Sequence, residues 1–264
     1  MLGGLMGLQD TTSTDWGERL LNTVANKTIR HLFTTSEVVE VAVRCYPSSK
    51  LLQGSIDSFK MSGRGLVIRR DFRVEEMSFE TDAVSIDFSS ALQGQLRLKQ
   101  PTQAIAQVML SEADLNRSFQ AELVKKRLQN LSLPELTALS GGQPVSFGEV
   151  QVELLPNNRL RIVAEADLSD AGKVPICLTA TLAVERRRRL AFQDPQFEAE
   201  AIPEPSRATA QQLTAILAEI LDNMVDLDRF DLDGVTMRIN RLETQEKMLI
   251  FSGYAQIDRI PSGG

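Results

Sequence analysis

The stretch from Val150 to Leu168, VQVELLPNNRLRIVAEADL, decides how this chain folds. Val150, Val152 and Leu154 alternate with Gln151 and Glu153, and after Pro156-Asn157-Asn158 the alternation resumes as Leu160, Ile162, Ala164, Ala166 and Leu168. A side-chain period of two puts the apolar set on one face of a sheet and the polar set on the other. The Pro-Asn-Asn step between the runs is a turn, and strands joined by so short a turn pair antiparallel.

The same period recurs on both sides of this hairpin. Val39, Val41, Val43 and Cys45 alternate with Glu40 and Arg44 before Tyr46-Pro47 breaks the run. Half-buried strands are expected at Phe72 and Val74, at Met77 and Phe79, at Val84, Ile86 and Phe88, at Leu96 and Leu98, and from Ala104 to Leu110. Ser58, Ser62, Gly63 and Gly65 mark turns or bulges between them. The run Val174 to Glu185 is almost uncharged, which predicts a strand covered on both faces. Two last strands are expected around Val235–Leu242 and Met248–Ile257.

Three stretches switch to helical spacing. Asp15 opens a helix over 14–33, and Ser111 opens one over 111–128 with Asp114 three residues on in a capping arrangement. Leu213, Ile216, Leu217, Ile220, Leu221 and Met224 then form one stripe of a third helix. Ser140-Gly141-Gly142-Gln143-Pro144 reads as an internal linker and Pro195 to Pro205 as a connector. The fold class is therefore α+β, a curved antiparallel sheet packed on amphipathic helices. Residues 1–13 are expected to form a flexible apolar tail and 14–260 a single elongated domain, with two sub-halves meeting near 140–145.

Composition excludes several functions. The net charge of −6 argues against nucleic acid, whose phosphates need surplus Lys and Arg. One histidine, His31, and two distant cysteines, Cys45 and Cys177, supply no metal site and no nucleophile–base pair. No cofactor and no catalytic residue is expected, and the protein reads as a binder, not an enzyme. Asp222 to Gly234 carries five carboxylates before a glycine, but Arg229 and Asn240 fall where a calcium loop needs its first and last ligands. The opening MLGGLMGL lacks the cationic start of an export signal, so a cytoplasmic location is expected. No stretch is apolar for the ~18 residues of a membrane span. Arg186-Arg187-Arg188-Arg189 reads either as an exposed strand end that blocks edge pairing or as a contact for a phospholipid headgroup or an anionic membrane surface.

Several stretches carry a resemblance: Tyr46 to Phe59 (YPSSKLLQGSIDSF), Val84 to Phe88 (VSIDF), Leu110 to Phe119 (LSEADLNRSF) and Leu217 to Gly234. Together they resemble the LmeA-like phospholipid-binding family, a former domain of unknown function, in its cyanobacterial form. The resemblance spans nearly the whole chain and implies a non-enzymatic lipid binder with a fold similar to tubular lipid-binding proteins. It transfers no catalytic or headgroup residue. Relatives that act in the cell envelope carry an export signal, so the form expected here works on the inner face of a membrane as a peripheral protein. The apolar groove is expected between strand residues Val41, Ile86, Phe88 and Ile162 and a helix wall of Leu213, Ile216, Leu217 and Ile220. Its partner would be a phospholipid or other lipid, taken up for transfer or for membrane association. The rival reading is a protein-interaction scaffold whose apolar surfaces satisfy one another; oligomeric state is left open.

Overall fold

The computed structural model describes residues 12–47, 49–68, 71–169, 172–224 and 234–260, with backbone alone for 12–18. The first half runs α1 (Thr12–Arg30), β1 (Val38–Arg44), α2 (Ser49–Leu52), β2 (Ser55–Ile56), β3 (Ser58–Ile68), β4 (Phe72–Thr81), β5 (Val84–Ser85), α3 (Phe88–Leu92) and β6 (Thr102–Ser111). Next come α4 (Glu112–Ser118), α5 (Glu122–Leu128), α6 (Pro134–Leu139), β7 (Ser146–Leu155), β8 (Arg159–Asp167), β9 (Lys173–Glu185) and β10 (Arg189–Phe197). The chain then forms α7 (Arg207–Asp222), β11 (Val235–Gln245) and β12 (Met248–Ile257).

Two antiparallel sheets carry this α+β fold. Six strands pair in the order β1-β3-β4-β6-β12-β11 and four in the order β10-β9-β8-β7. The hairpin at 150–168 is β7–β8, turning at Asn157 and Asn158, both with positive φ. The first core lies under β1–β3 and holds Leu21 and Ala25 of α1 with Val39, Val41, Val43, Met61 and Leu66. The second lies between the four-stranded sheet and the helices α5–α7, and it takes Ile239, Leu242 and Leu249 from the β11–β12 hairpin.

Helices and turns close the strand edges. Along β1, Asn22 Oδ1 accepts from Val43 N at 2.8 Å, Asn26 Nδ2 donates to the Val41 carbonyl at 3.4 Å, and Arg30 donates to the Val39 carbonyl at 3.4 Å. The spacing i, i+4, i+8 puts the three on one helical stripe. Along β7, Asn116 of α4 accepts from Val152 N at 2.6 Å and donates to Val152 O at 2.9 Å, while Glu112 accepts from Leu154 N at 2.9 Å. Asp222 accepts from Phe192 N of β10 at 2.9 Å. On β11, Asn158 accepts from Thr244 N at 2.9 Å and donates to Leu242 O at 3.1 Å. Each clip satisfies backbone groups that an open edge would leave as a template for pairing.

Several expectations need correction. Ser58, Ser62 and Gly63 do not separate strands; with Gly65 they lie inside β3, where Gly65, at φ +59°, falls out of the ladder between Arg64 and Leu66 and breaks the alternation. Phe88 does not continue a strand. Asp87 caps α3 by accepting from Ser89 N at 3.0 Å and Ser90 N at 3.4 Å, so Phe88 is its first residue. Ser111 caps α4 as expected, accepting from Asp114 N at 3.1 Å, but the helix breaks at 119–121 and restarts as α5. Pro195 belongs to β10, where a bulge between Gln193 and Gln196 on an edge strand accommodates a residue without an N–H. The 140–144 segment turns between α6 and β7. Of the tail expected over 1–13, Thr12 and Ser13 belong to α1, while 1–11 and most of the acidic stretch, 225–233, lie outside the described residues.

Candidate functional site

Registered side chains of the six-stranded sheet form rows that cross all six strands. On the face toward α1 they read Val43, Phe59, Thr81, Ala104, Ala255 and Met237; then Val41, Met61, Phe79, Ala106, Gly253 and Ile239; then Val39, Gly63, Met77, Val108, Phe251 and Leu242. Thr81 is the one polar side chain among these positions, and its hydroxyl bonds Phe59 N at 3.2 Å and Asp82 O at 2.9 Å. The opposite face carries rows such as Glu40, Ser62, Ser78, Gln107, Ser252 and Arg241. The partition into faces is what a period of two dictates.

Cover is uneven across the apolar face. At the β1–β3 side α1 buries Val39, Val41, Val43 and Met61. Toward the middle, Met77, Phe79, Val108 and Phe251 stay half-buried around a floor of the small residues Ala104, Ala106, Gly253 and Ala255. Gly253 is fixed by close approach: a Cβ there would stand 1.9 Å from the Arg238 carbonyl oxygen, where β11 bulges between Ile239 and Arg241. Leu110 packs against both cores and marks the seam between them.

The expected groove residues divide along that seam. Val41, Ile86 and Phe88 belong to the first core, with Phe88 half-buried at the start of α3. Ile162, Leu213 and Leu217 are fully buried in the second core, and Ile216 and Ile220 are half-buried against it. The structure thus packs Ile162 with the α7 face in one core and Val41 with Ile86 and Phe88 in the other. The accessible apolar row, Met77, Val108 and Phe251, was missed. Its signal was present in the alternation of 72–79 and 104–110, but which strands would be neighbours was not.

Charges tie the halves together. Arg73 of β4 reaches both oxygens of buried Asp114 on α4 at 3.0 Å, Glu75 at 2.6 Å and Glu37 at 2.9 Å. Hydrogen bonds that Arg73 donates to Glu75, then to Glu37 and Asp114, push its pKa up. The arginine run forms the β9–β10 turn: Arg187 donates to Asn240 and accepts from Ile239 N at 2.6 Å, and Arg189 pairs with Asp222. Both therefore fasten β9–β10 to neighbouring elements. The Cys177 thiol is buried 3.3 Å from Glu198, and burial pushes its pKa up, away from a reactive thiolate. Among the described residues no group of three metal-ligating side chains comes together, and no helix is long and apolar enough to cross a membrane.

This architecture defines an antiparallel α+β protein in which one face of the six-stranded sheet is apolar across all its strands and only partly covered by helices. The chain belongs to the LmeA-like phospholipid-binding family, whose model matches residues 12–253. That family is a phospholipid-binding domain and not a known enzyme family. No curated protein and no solved structure matches the chain.

Proposed function

We propose that the protein binds phospholipid without turning it over, holding the acyl chains against the apolar face of the six-stranded sheet along Met77, Phe79, Val108 and Phe251. The observation that carries this reading is the unequal cover of that face: its rows are apolar across the strands, yet the large side chains at their middle stay half-buried. Each methylene removed from water contributes ~0.8 kcal/mol, so ten would supply about 8 kcal/mol before ordering costs. Ile216, Ile220 and Phe88, half-buried on either side of the seam, are the expected groove residues nearest to hand for a ligand. Likeness to tubular lipid-binding folds, a cytoplasmic location at the inner face of a membrane, and a role in lipid transfer or peripheral association belong to the same proposal.

Native mass spectrometry of the purified protein, with lipid extraction from the same sample, tests it. A stoichiometric phospholipid is expected, and Val108→Trp, which crowds the half-buried row, should release it while circular dichroism stays unchanged. A bare protein mass that liposomes do not alter would overturn the proposal and favour the scaffold reading.

A further inference from the structure

The face of the six-stranded sheet away from α1 holds a separate concavity of ≈250 Å³, lined on its polar side by Glu40, Ser62, Arg64, Glu76, Ser78 and Gln107. It is smaller than a drug-sized pocket of about 300–1,000 Å³, which suits a headgroup-sized ligand and not a whole lipid. Its depth follows from register: Ser62 and Ser78 are cross-strand partners with short side chains and form the floor, while Arg64 and Glu76, partners in the next row, rise beside them. Although Arg64 faces Glu76, they form no ion pair, and no side chain of these six bonds another described residue. Six hydrogen-bonding side chains therefore line one space without bonding one another.

The charge pattern selects the ligand. One guanidinium between two carboxylates attracts an anion on one side and a cation on the other, and penalises a ligand carrying only one of them. A guanidinium fork matches two phosphate oxygens, and the Ser62 and Ser78 hydroxyls add donors for a third oxygen that a carboxylate ligand lacks. We propose that this trough binds a phosphate–ammonium zwitterion, with the phosphate on Arg64 and the two serines and the ammonium on Glu76, the carboxylate beside them. The trough lies across the sheet from the apolar rows, so it does not rest on the acyl-chain reading.

Titrating the full chain with O-phosphoethanolamine, inorganic phosphate and ethanolamine separately, followed by amide chemical shifts at Ser62, Ser78 and Gln107, tests the site. The zwitterion should bind at least about tenfold tighter than either half, the return expected of adding a second charge-assisted contact. Arg64→Gln and Glu76→Gln should each weaken it by a similar factor. Lys60→Gln, whose partner Glu80 lies on the same face outside the trough, should leave it unchanged. Saturable shifts absent for all three probes, or phosphate alone binding as tightly as the zwitterion, would overturn the proposal. Flotation with phosphatidylethanolamine vesicles then assigns the source. Loss of flotation in Arg64→Gln marks a lipid headgroup, and flotation unchanged beside a lost soluble titration marks a free zwitterion. Because the soluble probes carry no acyl chain, their failure leaves the lipid reading untouched.

Discussion

The two sheets are built from one alternation and put to different ends. In the four-stranded sheet the face against α7 is sealed: Ile162, Ile176 and Leu178 are fully buried with Leu213 and Leu217 of α7, and β9 is buried on both faces from Ile176 to Ala180. In the six-stranded sheet the large side chains buried as completely, Met61 and Leu66, lie on β3, close to α1. Further across, the apolar rows continue through Met77, Val108 and Phe251 without equivalent cover. The difference teaches that alternation fixes which face is apolar, while the placement of helices fixes whether that face is core or surface.

Truncation on each sheet gives the largest effect and the sharpest way to break the comparison. Leu217→Ala should destabilise the protein by ~2–5 kcal/mol, the usual cost of deleting a sealed leucine. Val108→Ala, on the half-buried row, should cost about 1 kcal/mol or less because part of its surface already meets solvent. Denaturant unfolding of lipid-free protein measures both. Equal losses would show that the six-stranded face is sealed core, and the acyl-chain surface would go with it. In lipid binding the order should reverse, with Val108→Ala the more damaging of the two once folded fractions are matched.

The edge clips offer a second, smaller contrast. Asn116 makes two close bonds to Val152, at 2.6 and 2.9 Å, and a third to Glu112 O at 2.9 Å, all partly buried. Asn26 reaches β1 only through a 3.4 Å bond to Val41 O. Losing Asn116 strands a backbone donor and acceptor together, so Asn116→Ala should cost about 1–3 kcal/mol, while Asn26→Ala should cost less than about 1 kcal/mol. Thermal unfolding of the two variants side by side checks this. A larger loss at Asn26 would mean that α1, and not α4, is the helix its sheet depends on.

How much of this was legible in the sequence depends on range. The hairpin at 150–168, the doubly covered β9 and the α7 stripe follow from local period alone, and the structure contains them. The α+β class and the antiparallel pairing follow from the same signal. The groove residues were drawn from two cores because a period of two names a face without naming the strands beside it. Val41 and Ile162 have the same local pattern but belong to different sheets. The clips were hidden for a chemical reason. Asn26 and Asn116 are polar positions in helical stretches, and only their distance from a strand edge shows the amides acting as ladder partners. The trough was hidden by Ser58, Ser62, Gly63 and Gly65, small residues that read as turns but lie within a strand, with Ser62 in the floor.

The smallest effect expected is one of pH, and it separates the two halves by their acid response. Asp87 caps α3, on the first core, and bonds to Ser89 and Ser90 hold its carboxyl down at about 2, from an ordinary 3.8. The unfolded chain therefore takes up this proton first as pH falls. The contribution to stability is whole above about pH 3.8 and is lost as pH drops through 2. Asp87→Asn keeps an acceptor oxygen but not the charge, so the wild type should melt higher than the variant at pH 5, with the gap closing between pH 4 and pH 2. Melting followed separately at amide signals of the six-stranded and the four-stranded sheet adds the cooperative question. Arg73 joins β4 to α4, and clips from both hairpin turns hold β11, so the halves should unfold in one transition, with both probes shifting together. A gap that widens as the pH falls would mean that the carboxylate does not stabilise the fold through its cap. Two probes that part company below pH 4 would show that the half bearing the apolar face opens on its own while the four-stranded core stays closed.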